Sequence, residues 1–91
     1  RLPTDSEWTS ADVNGGWNND IDAFGSSLKL HTAGFLWGSS GSLTYRGESG
    51  DYWSSMQGSS TSGRILDFDF SRCGALELSK AEGLSVRCLR D

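Results

Sequence analysis

The feature that most constrains this chain lies towards its carboxyl end, where side chains alternate with a period of two. Leu66, Phe68 and Phe70 point one way, and Asp67 and Asp69 point the other. Ala75-Leu76-Glu77-Leu78-Ser79 repeats the alternation. In the last run Leu84, Val86 and Cys88 share one side, opposed to Ser85, Arg87 and Leu89. Three such runs predict an antiparallel meander with one face on a core and one face in water. Gln57 to Gly63 is almost entirely Ser, Thr and Gly, so it reads as a flexible connection leading into that meander.

Upstream the signals are shorter. Thr4-Asp5-Ser6-Glu7 is a capping box, in which the Thr hydroxyl and the Glu carboxylate each accept the other's backbone N–H. With Pro3 before it, this predicts a helix over about Asp5 to Asp12, with Trp8 facing the core, ended by Gly15-Gly16. Leu28 to His31, Ser42 to Tyr45 and Asp51 to Ser55 read as short strands. Gly34 to Gly41, carrying Phe35, Leu36 and Trp37, reads as a turn with buried aromatics.

A chain of 91 residues makes one small domain. Twelve Gly and a single Pro suit short strands and tight turns. Four Trp, four Phe and two Tyr must then supply much of the core, since each aromatic buries roughly 150–250 Å². The net charge of −4 and the absence of a basic run exclude nucleic acid as a partner. No apolar stretch approaches the roughly 20 residues of a membrane span. No secretory signal opens the chain, and Arg1 to Thr4 reads like the middle of a domain, as in a fragment.

Four blocks, in order, carry a family resemblance. They are Arg1-Leu2-Pro3-Thr4 with Glu7-Trp8, Leu28 to Phe35, Gly50-Asp51-Tyr52-Trp53-Ser54-Ser55, and Gly83 to Asp91. With this spacing the chain resembles the Fibrobacter succinogenes major paralogous domain of exported bacterial proteins. Its bookends also look like those of formylglycine-generating-enzyme-type domains, although that family's cysteine pair has no match. The resemblance implies an α+β, C-type-lectin-like domain over residues 1–91, the C-terminal part of a longer exported protein. It would have one short N-terminal helix, then a twisted antiparallel sheet with long irregular loops. It also implies an extracellular, cell-surface binding or adhesion role rather than catalysis. The partner would be a glycan or a surface protein. The competing reading is a structural unit of a larger surface or filament protein.

Candidate ligand residues follow from residue chemistry and from this resemblance. Trp17, Trp37 and Tyr45 sit in or near loops, where exposed rings stack on sugars and buried rings build a core. The later strands of such a fold add Asp67, Asp69 and Glu77 to the ligand surface. Asp67 and Asp69 also read as the solvated side of the sheet, with Arg87 as their cross-strand partner. Asn18, Asn19, Asp20 and Asp22 crowd hard oxygen donors together, which fits a calcium site or a plain turn. Cys73 and Cys88 fit a disulfide closing a loop of about 15 residues, worth about 3 kcal/mol, or two reduced thiols. Finally, the run from Leu84 to Arg90 is expected to leave a free edge, for another chain or a missing N-terminal segment.

Overall fold

The computed structural model describes residues 1–26 and 28–88. The chain is a small α+β domain, as expected. Helix α1 spans Asp5–Gly15, and a second short helix, α2, spans Asp20–Gly25. Strands β1 (Phe35–Leu36) and β2 (Leu43–Thr44) form a small hairpin. Strands β3 (Gly50–Gln57), β4 (Ser62–Phe68) and β5 (Cys73–Ser79) form an antiparallel sheet in sequence order.

The capping box forms in both directions: Glu7 N donates to Thr4 Oγ1 at 3.1 Å, and Thr4 N donates to Glu7 Oε1 at 2.9 Å. The Arg1 guanidinium binds the same carboxylate and, with the cap bonds, holds its pKa down to about 2. The helix runs to Gly15 and stops at Gly16, whose φ of 66° is left-handed.

One face of the sheet lies under α1. Trp8, Tyr52, Leu66 and Phe68 form the core there with Trp17, Ala23 and Leu30. Tyr52 stacks on Phe68 with ring centroids 6.0 Å apart, and the Trp8 indole N–H donates to the Trp53 carbonyl at 3.2 Å.

Four expectations about elements need correction. The meander is β3-β4-β5, not the three last runs. Among the described residues, the terminal run keeps only isolated bridges, Gly83 to Leu36 and Ser85 to Tyr52. Ser85 lies alongside β3, accepting from Trp53 N and donating to the Asp51 carbonyl. Val86 and Cys88 are exposed rather than buried, and Leu89 to Asp91 lie outside the described residues.

Leu28 to His31 is not a strand. Lys29 has a left-handed φ of 53°, and the local N–H groups bond to Ser26, Ala23 and the Tyr52 hydroxyl instead of a ladder. Phe35-Leu36 pairs as a strand where a turn was expected. Phe70 lies beyond the end of β4 and is 81% exposed. The outer side of the sheet is thus β5, which has no ladder partner there among the described residues.

Candidate functional site

The second face of the sheet carries a cleft of about 670 Å³. Register builds its floor. On β4, Asp67 lies on the side opposite to Leu66 and Phe68, and it pairs with Asp51 of β3. On β5, Leu76 and Leu78 stand opposite Ile65 and Gly63, so they share this face and line the cleft. The β1–β2 hairpin overhangs it. Gly34 has a φ of 70°, and a Cβ there would collide with the Thr44 carbonyl, so only Gly lets the hairpin close this tightly.

The floor holds two carboxyls face to face. Asp51 is 1% exposed and Asp67 8%. The Ser49 hydroxyl donates to Asp51 Oδ2 at 3.1 Å, while Asp51 Oδ1 is buried and has no hydrogen-bond partner. Burial pushes the Asp51 carboxyl up to about 8, reinforced by the hydrogen bond and charge of Asp67. Two like charges directly opposite on a ladder repel, so the protonated form of Asp51 is favoured. Asp67 is balanced from its other side by Arg72, with Nη2 3.0 Å from Oδ1.

Arg72 also reaches Asp69, with Nε 3.5 Å from Oδ2. Asp69 Oδ1 accepts from Ser71 N, Ser71 Oγ and Arg72 N, a local turn that positions the guanidinium. The Ser71 N–H is the largest cause holding the Asp69 carboxyl below its ordinary value. The Asp69 carbonyl accepts from Asp20 N at 2.8 Å, which ties α2 to the rim.

Aromatic rings frame the opening. Phe35, Tyr45 and Phe70 line the cleft. Tyr45 is 50% exposed and lies 5.7 Å from Phe35, centroid to centroid. Trp37, 44% exposed, packs edge-on against Phe35 and continues the aromatic row outside the cleft.

The sheet therefore brings Tyr45, Asp67 and Asp69 together, with Trp37 alongside. It does not bring in Trp17 or Glu77. Trp17 is packed in the core, 8% exposed, and lies apart from this cleft. Glu77 stands opposite Arg64, on the other face of the sheet. Asp67 is not a solvated side chain, and its partner is Arg72. Arg87 instead donates to the Leu28 carbonyl at 2.8 Å.

The Asn18 to Asp22 stretch begins α2. Asn19 Oδ1 caps it by accepting from Asp22 N, and Asp22 Oδ2 accepts from Asn18 N. Asp20 Oδ1 accepts from Ile21 N. Among the described residues no group of three His, Cys, Asp or Glu side chains is placed to hold a metal ion. Cys73 and Cys88 are both free thiols. Burial raises the Cys73 pKa, and the Asp12 carboxylate beside it adds to the shift.

The sequence reading missed Asp51, Phe35, Phe70 and Arg72. For Asp51 a signal existed: it alternates with Tyr52 in a predicted strand, so it shares a side with Trp53, away from the Tyr52 ring. Its pairing with Asp67 needed the register. Comparison with family models, with curated proteins and with solved structures finds no match for the chain.

Proposed function

We propose that this domain is an extracellular, non-catalytic carbohydrate-binding module of the C-type-lectin-like kind, and that the cleft over β3-β4-β5 is its binding site. One observation carries the reading: exposed aromatic rings overhang a floor of fixed, charged hydrogen-bonding groups. Phe35, Tyr45 and Phe70 offer apolar faces to a sugar ring, while Asp67, Asp69 and Arg72 offer acceptors and donors to its hydroxyls. Such sites combine a mainly apolar lining with a few placed polar groups. Arg72 is itself held by two carboxylates, so little side-chain entropy is lost when it binds.

The lectin-like assignment rests on the four sequence blocks named above and on their order. It agrees with a capped N-terminal helix lying on an antiparallel sheet and with a terminal segment returning beside β3. The same resemblance supports export of the module to a bacterial cell surface.

A glycan array followed by titration calorimetry tests the proposal. Saturable binding is expected. Tyr45→Ala should weaken it by tenfold or more, by analogy with a base stacked on an aromatic side chain, which is worth about 1–3 kcal/mol. The same substitution should leave stability within about 0.5 kcal/mol, because the ring is half exposed. Absence of any glycan ligand would favour a purely structural role in a larger surface assembly.

A further inference from the structure

The two edges of the three-stranded sheet are finished differently. The β3 edge is covered: Ser85 of the terminal run accepts from Trp53 N and donates to the Asp51 carbonyl. The β5 edge is bare among the described residues. Asp69 N donates to the Arg72 carbonyl and Lys80 N to the Thr61 carbonyl. The even-numbered residues from 72 to 80 therefore turn their N–H and C=O groups towards β4. Cys73, Ala75, Glu77 and Ser79 turn theirs outward. There the Ser79 carbonyl accepts from Glu82 N, and no other of these groups has a backbone partner among the described residues. Edge strands are normally blunted by a bulge, a proline or a charge leaning over the edge. None of these devices guards β5. Its register with β4 is unbroken from Cys73 to Ser79, and it holds no Pro. Its one charge, Glu77, leans inward to Arg64 and the Ser62 hydroxyl, close enough to Gly58 that a Cβ there would strike the carboxylate.

We propose that β5 pairs edge to edge with β5 of a second copy of this chain, antiparallel about a two-fold axis at Leu76. The strand's own side chains select both the occupant and the register. Opposed residues of an antiparallel pair point to the same face, so the axis must pass beside a single residue. At Glu77 it would set two carboxylates against each other. At Ala75 it would leave Ser79 beyond the end of the other strand. At Leu76 every residue from Cys73 to Ser79 gains a counterpart in the second copy. Leu76 then meets Leu76, Leu78 meets Gly74, Glu77 meets Ala75 and Ser79 meets Cys73. The outward backbone groups of Ala75 bond to those of Glu77, and those of Cys73 to those of Ser79. Gly74 leaves room for the opposing Leu78, since a Cβ there would meet nothing within 4 Å. A foreign strand would take the same backbone bonds, but a second copy also brings matched side chains and completes both bare edges at once.

Such pairing uses up the edge of each copy, so assembly stops at two. A seven-residue strand on each side buries less than the roughly 1,000 Å² of a stable interface. The dimer is therefore weak and reversible, with a Kd on the order of 10–100 µM. Its axis stands perpendicular to the sheet, so the two clefts open on the same side of the joined sheet. The pairing is independent of what the cleft binds.

Sedimentation equilibrium of the whole chain over a concentration series tests the pairing. A monomer–dimer equilibrium with no larger species is expected. Ala75→Pro deletes an outward N–H that β4 does not use. It should weaken the dimer at least about tenfold, with the far-UV circular dichroism of the parent. Crosslinking reads the register without relying on that variant. Leu76→Cys sets two thiols face to face at the axis, in a non-hydrogen-bonded pair with Cα atoms about 4.5 Å apart. That separation lies within the disulfide range of about 4.4–6.8 Å. Leu78→Cys instead leaves each new thiol opposite Gly74. With Cys88→Ser in both, to remove the exposed native thiol, Leu76→Cys should form a disulfide-linked dimer at least about tenfold faster than Leu78→Cys. A chain that stays monomeric up to about 1 mM would overturn the inference. So would assembly beyond a dimer, a folded Ala75→Pro chain that dimerises as tightly as the parent, or equal crosslinking rates for the two cysteine variants.

Discussion

The two faces of β4 are written in the same alternating code, yet they end in different environments. Leu66 and Phe68 enter an apolar core closed by α1, built from rings and aliphatic chains with the Cys73 thiol at its margin. Ile65 and Asp67 point the other way, and there the sheet is roofed only in part by the β1–β2 hairpin. One face is held by apolar burial. The other buries two carboxyls whose cost is offset by Ser49, by Arg72 and by the proton that Asp51 retains. Burial by itself therefore does not separate scaffold from site. The chemical character of what is buried does: the structural face hides an apolar cluster, while the cleft face hides, beside Ile65, two carboxyls that want partners.

The largest expected effect attacks the structural face. Phe68→Ala removes a fully buried ring from the stack on Tyr52. It should cost about 3–5 kcal/mol in urea unfolding, enough to unfold most of a domain this small. A loss below about 1 kcal/mol would mean that the α1 face is not the core.

The next prediction probes the other face through pH. The folded-state pKa of Asp51 is raised from 3.8 to about 8. Folded Asp51 keeps a proton that the unfolded chain releases once pH passes about 4. The stability this group contributes is thus full in acid and is lost as pH rises towards 8. The slope should approach about 1.4 kcal/mol per pH unit across that window. Asp51→Asn should flatten the slope and raise stability at pH 8 relative to the parent. Stability that instead climbs steadily from pH 5 to pH 8 in the parent would contradict the raised Asp51 pKa.

A smaller effect tests whether α1 is a lid that the core face depends on. Thr4→Ala removes one leg of the capping box and should cost about 1 kcal/mol by thermal or urea unfolding. Glycan affinity should not change, because the cap lies on the opposite side of the sheet from the cleft.

Much of the core face was legible. The capping box gives the helix start by short-range hydrogen bonding alone, and Trp8 follows as its buried anchor. The alternation over Leu66 to Phe68 gives the sides of β4 correctly, with Asp67 apart from the rings. Its reading as a wet side failed because alternation reports which way a side chain points, not what covers it. Leu28 to His31 failed for a local reason. Ser26 N-terminal to it and the Tyr52 hydroxyl across from it compete for its backbone N–H groups, and Lys29 takes a left-handed conformation. Trp17 could have gone either way by composition, and the core claimed it.

By itself, then, the amino-acid order determined the helix, its cap, the strand periodicity and the supply of aromatic rings, because these depend on neighbours within a few positions. Only the tertiary structure decided that Asp51 would face Asp67, that Arg72 rather than Arg87 would balance them, and that the hairpin of Phe35 and Tyr45 would overhang the floor. Each of those depends on strand register and on a loop closing over a sheet. The energies that set them arise between residues distant in the chain, where no local pattern records the pairing.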